Sequence, residues 1–124
     1  MRTPSQIAEE LVRAVTTGDL SLAGELYADD AVLWQNTTGR TSDKARALST
    51  IQWLYNTVKE LAYEDIRLQE LPDGFVQQHR LKGNLANGAT LAVDACMVVR
   101  VKDGKILRVD EYFDSAAFAV LRGN

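Results

Sequence analysis

The chain lacks most of what the common recognisable chemistries require. Its 124 residues include one cysteine, Cys96, and one histidine, His79. A lone cysteine cannot close an intrachain disulfide, which points to a reducing, cytoplasmic setting. Cys96 reads as a small core residue, with a reactive thiol as the alternative. One histidine and one cysteine cannot build a His/Cys zinc site, and no H-E-x-x-H occurs, so no metal is expected. The G-x-S-x-G elbow and the Walker and G-x-G-x-x-G phosphate loops are also missing, so no cofactor is expected. No run approaches the ~18 apolar residues of a membrane span, and Met1-Arg2-Thr3-Pro4 lacks the apolar core of a signal peptide. The sequon Asn36-Thr37-Thr38 is then a chance match. Lys and Arg number 14 against 17 Asp and Glu, a net charge of −3, and no basic run stands out. Neither a nucleic acid nor a membrane is expected as a partner.

What remains is an ordinary globular balance, 46% apolar and 25% charged. The length suits a single domain over residues 1–124 with a real core. No internal repeat, linker or low-complexity segment divides it. Thr3-Pro4-Ser5-Gln6 predicts a helix start, with Thr3 as cap, Pro4 at the first helical position and Gln6 completing a capping box. Ile7, Leu11 and Ala14/Val15 recur at helical spacing until Gly18. Asp19 can cap a short helix through Leu22 and Leu26. Ala31–Asn36 reads as a strand, and Thr41 or Ser42 as the cap of a helix over about Asp43–Glu60, with Leu48, Ile51, Tyr55 and Val58 on one face.

Beyond that helix the period switches to alternation. Strands are predicted over Tyr63–Leu71, Phe75–Lys82, Thr90–Val101 and Ile106–Phe113. Pro72-Asp73-Gly74, Asn87-Gly88 and Asp103-Gly104 divide them, the last two as tight hairpin turns. The tail from Ser115 to Asn124 can form a short turn or helix capped by Asp114 or Ser115. Helices first and strands later predict an α+β fold, helices packed on one face of an antiparallel sheet.

Three places can carry chemistry. In the last strand, alternation groups Val109, Glu111 and Phe113 on one face and Asp110, Tyr112 and Asp114 on the other. Glu111 is thus a single carboxylate on an otherwise apolar face, a costly placement unless it is paired, hydrogen-bonded or protonated. Alternation likewise puts Phe75, Gln77, His79 and Leu81 inward, and Gln78, Arg80 and Lys82 outward. An inward histidine can be an acid, a base or a hydrogen-bond partner. A structural His79–Glu111 pair across strands would leave the same pattern. Trp34 and Asn36 share a strand face, with Gln35 on the other. Together with an ionised Glu111 they could hold one water, or they could be a core tryptophan beside a turn asparagine. Asp94 shares parity with Arg100 and reads as an outer-face residue.

The element order, with Leu26-Tyr27-Ala28-Asp29-Asp30-Ala31-Val32 leading into Trp34-Gln35-Asn36 and Asp103-Gly104-Lys105-Ile106 leading into Glu111-Tyr112-Phe113-Asp114, resembles the nuclear transport factor 2-like superfamily and its SnoaL-like branch. The resemblance covers nearly the whole chain. It implies a cone-shaped curved antiparallel sheet wrapped around a long helix, a cystatin-like α+β barrel with an apolar pocket, often in a homodimer. Limonene-1,2-epoxide hydrolases are similar at two points. Their water-holding aromatic and asparagine match Trp34 and Asn36 around Gln35, and their water-activating aspartate matches Glu111. Their acid sits near His79. Ketosteroid-isomerase chemistry of that family's type is rejected, because its base falls near Gln35, which is no base, and its protonated acid near Met97. Dehydratase and cyclase relatives use a pocket histidine with a carboxylate, which His79 and Glu111 could reproduce.

The resulting expectation is a cofactor-free acid/base enzyme acting on a small apolar or polycyclic organic molecule, by epoxide hydrolysis or by dehydration, isomerisation or cyclisation. Glu111, His79, Asn36 and Trp34 are the expected catalytic residues, and Gln35, Tyr55, Met97 and Phe113 the expected pocket lining. The alternative is a non-catalytic binder or dimeric interaction module of the same fold.

Overall fold

The structure, a computed structural model, describes residues 1–122. Its order is α1 (Pro4–Thr17), α2 (Leu20–Leu26), β1 (Tyr27–Gln35), β2 (Thr41–Ser42), α3 (Lys44–Thr57), β3 (Lys59–Leu71), β4 (Gly74–Asn84), β5 (Thr90–Lys102) and β6 (Lys105–Phe113). A 3-10 turn, Ser115–Phe118, and a last short helix, α4 (Ala119–Arg122), follow. Gly123 and Asn124, the end of the expected tail, lie outside the described residues.

The capping chemistry explains the helix boundaries. Thr3 and Gln6 form the reciprocal capping box, and Gly18 closes α1 in the left-handed region at φ 68°. Asp19 caps α2 by accepting from the Leu22 amide. The cap of α3 is Asp43, accepting from Arg46, and neither Thr41 nor Ser42. Those two residues pair with Trp34 and Leu33 as β2. Asp114 caps the 3-10 turn through the Ala116 amide.

The six strands form one curved, unclosed sheet in the order β2-β1-β6-β5-β4-β3. It is mixed, because β1 runs parallel to β6 while the other neighbours are antiparallel. Its curvature has local causes. β3 carries two register shifts, with Glu60 at φ 54° and Asp65 at φ 52° beside them. Such bulges bend and twist a strand. Asp103 and Gly104 both have positive φ and form the expected two-residue hairpin between Lys102 and Lys105. Asn87-Gly88 sits instead in a five-residue loop closed by Asn84 and Thr90. There the Asn87 side chain accepts from Ala89, and only Gly88 takes positive φ.

Ile7, Leu11, Ala14 and Val15 of α1 are buried, together with Phe75, Leu81, Leu91, Val93, Val99, Ile106 and Val109 of the sheet. The helix seated most deeply is therefore α1. Helix α3 is equally long but buries only Ala47 and Ile51, and Tyr55, expected on its inner face, is exposed. This leaves the side of α3 nearest the sheet free to wall a cavity.

Candidate active site

A cavity of about 100 Å³ opens between α3 and the inner face of the sheet. Thr50, Trp53 and Leu54 of α3 form one wall, and Tyr63 of β3 another. The floor comes from His79 and Leu81 of β4, Val93 and Ala95 of β5, Glu111 and Phe113 of β6, and Gln35 of β1. Phe118, stacked edge-to-face on Phe113 at 5.1 Å, stands over it from the C-terminal segment.

Strand register explains why these residues meet. Gln77, Met97 and Glu111 pair in sequence across β4, β5 and β6, and Glu111 pairs with Gln35 in the parallel β1. His79, Ala95 and Phe113 form the neighbouring row. Paired residues share a sheet face. Glu111 and His79 thus lie on one face with β5 between their strands and a two-residue offset along them, roughly 12 Å apart at the backbone. That spacing admits a ligand, whereas a directly bonded structural pair would need adjacent strands.

Burial favours the neutral form of both titratable groups in the cavity. Burial pushes the Glu111 carboxyl above its ordinary range, partly offset by a hydrogen bond from the Gln35 side chain. Burial lowers His79 to about 4, so its ring is neutral at pH 7. The His79 ring lies against the Tyr63 ring at 4.6 Å between centroids, and Gln77 Nε2 donates to His79 Nδ1 at 3.0 Å. Gln77 and His79 are the two buried polar residues of the core, 1% and 5% exposed. The hydroxyls of Tyr27 and Tyr63 are held protonated, first by burial and then by the nearby Glu111 charge. No group of three or more His, Cys, Asp or Glu is placed to hold a metal among the described residues.

Of the expected site residues, the cavity brings together Glu111, His79, Gln35 and Phe113. Trp34 and Asn36 are not in it. The parallel register puts Gln35, not Trp34, on the Glu111 face. Trp34 packs edge-on against Tyr112 at 5.3 Å on the outer face. Asn36 joins strands instead: its N–H donates to the Glu111 carbonyl at 3.1 Å, and its Oδ1 accepts from the Phe113 amide at 3.0 Å. Tyr55 lies on the far side of α3 beside Gly18. Met97 is buried in the row between Gln77 and Glu111 and does not line the cavity. Tyr63, Thr50 and Phe118 also line the cavity. Tyr63 follows from strand parity once β3 is registered, but Thr50 and Phe118 carry no local signal.

The comparisons with known proteins agree with this architecture. A family model described as a SnoaL-like domain matches residues 8–109 and stops just short of Glu111. No curated protein matches the chain. Among solved structures, it is similar to IdmH, a candidate polyketide cyclase from Streptomyces antibioticus, with TM-score 0.80 and 20% identity over 98% of this chain and 99% of that one. A second candidate polyketide cyclase, from Pseudomonas putida, gives TM-score 0.80 and 21% identity over 95% and 96%. A Catenulispora acidiphila protein with a ketosteroid isomerase-like fold, in complex with trimethylamine, gives 0.79 and 15% over 98% and 94%. These identities speak to the fold; the family match and the shared architecture together place the chain in the SnoaL-like domain family, within the nuclear transport factor 2-like fold.

Proposed function

We propose that this protein is a cofactor-free acid/base enzyme of the cyclase or isomerase type, moving a proton on a small apolar organic molecule inside the cavity. The observation that carries this reading is Glu111, a half-buried carboxyl group in a mostly apolar pocket that also holds a neutral histidine two strands away. Glu111 is the base. It takes a proton from a carbon beside a carbonyl, and the electron pair moves onto the carbonyl oxygen. His79 donates a hydrogen bond to that oxygen as its charge develops. Where a carbon–carbon double bond is conjugated with the enolate, return of the proton from Glu111 to the far carbon shifts that double bond and gives an isomer. If the enolate carbon instead attacks a second carbonyl, a carbon–carbon bond closes a ring, and the new alkoxide takes the proton. Glu111 is an ionised carboxylate again in both cases.

Epoxide hydrolysis is the less favoured chemistry, because Trp34 and Asn36, its expected water holders, lie outside the cavity. The cavity is also small beside the roughly 300–1,000 Å³ of typical ligand pockets. It fits one ring, so a polycyclic substrate would insert its reacting ring and project past Trp53 and Phe118. A cytoplasmic location, which the lone cysteine favours, and a homodimer, which the resemblance implies, complete the proposal.

The test is a turnover screen over cyclic ketones, polyketide-like aromatics, steroids and epoxides. Loss of one positioned base costs about 10²–10⁴ in rate, so Glu111→Gln should abolish detectable product. Full turnover by Glu111→Gln would sink the assignment. Binding that survives both Glu111→Gln and His79→Ala, with no product from any substrate, would establish the non-catalytic binder instead.

A further inference from the structure

Gln77 has no part in the proton transfer described above, yet it is one of the most completely buried side chains in the molecule. An amide group in such a place must have a partner. Its recorded partner is His79 Nδ1, with the amide nitrogen 3.0 Å away. An amide nitrogen only donates. Nδ1 must therefore be the bare, accepting nitrogen, and in a neutral ring the proton resides on Nε2. Around the ring stand Tyr63 from β3, Ala95 from β5 and, across the cavity, Glu111 from β6. None of these supplies a positive charge, and Gln77 cannot accept through its nitrogen.

We propose that Gln77 is a positioning residue that locks His79 in the Nε2–H tautomer, so that the cavity offers a neutral N–H donor and selects ligands bearing a carbonyl oxygen over ligands bearing a carboxylate. The donor can serve a carbonyl or a carboxylate oxygen; the rest of the cavity disfavours the carboxylate, because its lining holds the Glu111 carboxyl and no cation. A carboxylate would be set against the Glu111 carboxyl and could draw only one neutral hydrogen bond in return. The tautomer holds whether or not the pocket is catalytic; the choice of a carbonyl compound rests on the proton-transfer reading.

Because His79 is the sole histidine, nitrogen-15 labelling of histidine reports this ring alone. In the full chain at pH 7, long-range proton–nitrogen correlation should show the protonated-type signal on Nε2 and the bare-type signal on Nδ1. Gln77→Glu places an acceptor at Nδ1, so it should move the proton to Nδ1 and raise the titration midpoint by at least one pH unit. Gln77→Met keeps the shape without the donor and should give a mixture of the two tautomers. An Nδ1–H ring in the unaltered protein would overturn the proposal, and this readout needs no variant to fold. So would an unchanged tautomer in both variants. The ligand arm uses cyclohexanone and cyclohexanecarboxylate as probes. Cyclohexanone should shift the Nε2–H signal and bind at least tenfold more tightly. Equal binding of the two, or preference for the carboxylate, would overturn the selectivity while the tautomer result stands. Turnover lost in Glu111→Gln with the tautomer unmoved separates failure of the device from failure of the catalytic reading.

Discussion

Glu111 and His79 are linked to stability with opposite signs. His79 is held near 4, below its ordinary 6.5. Between those values the unfolded chain binds a proton that the folded one refuses. Its contribution is therefore complete above about pH 6.5 and is lost as pH falls through 4, a loss of roughly 2 kcal/mol once screening by cavity solvent is allowed for. Glu111 is raised above its ordinary 4.5. Its folded form holds a proton the unfolded chain has released, so its contribution is present below about 4.5 and is lost as pH rises through the folded value. Glu111→Gln should consequently be more stable than the parent at pH 7, read as a higher Tm. Urea unfolding of this variant from pH 8 to 4 should then isolate the histidine, with stability level above about pH 6.5 and falling between there and 4. A variant less stable than the parent at neutral pH would contradict the burial cost assigned to Glu111. Carboxylate placement thus trades stability for chemistry at a single residue.

Among the elements, β4 has the least room for change. A Cβ on Gly74 would collide with the Val99 carbonyl oxygen, at the point where β4 begins beside β5. Gly74→Ala should cost more than about 2 kcal/mol by chemical denaturation, because backbone cannot give way as a flexible side chain can. The C-terminal segment is the tolerant counterpart. Phe118 is half-buried over the cavity, so Phe118→Ala should cost about 1–2 kcal/mol in stability and tighten the binding of two-ring ketones, measured by calorimetry.

These elements also mark what local sequence can and cannot say. Alternation alone turned Gln77 and His79 inward on β4 and Glu111 inward on β6, and the structure keeps all three there. It could not choose between the faces of β1. The large apolar Trp34 made its own face look like the inner one, yet the face is decided by register with β6, a strand distant in sequence. The helix period of α3 failed at Tyr55 for a related reason. The sheet presents α3 with a cavity rather than a full packing surface, so only Ala47 and Ile51 are buried. Thr50, Trp53 and Leu54 wall that cavity, and nothing in their spacing distinguishes them from a solvated stripe.

At the scale of the whole molecule, the proposed homodimer predicts a single sedimenting species of twice the 13.7 kDa chain mass. A species at the chain mass at micromolar concentration would refute it. The sheet order has another consequence. Strands β3 to β6 are a run of neighbours joined by short turns, so they can form by local closure. β1 has only the two-residue β2 and the parallel edge of β6 to pair with. Synthesis proceeds from the N-terminus at about 5–20 residues per second. During all of that time Leu33, Trp34 and Gln35 emerge before any strand they can join, and β6 is the last strand to leave the ribosome. The candidate cavity is therefore assembled only at the close of translation, and a nascent chain stalled before Glu111 would hold β1 against nothing but the two-residue β2, an obvious client for a chaperone.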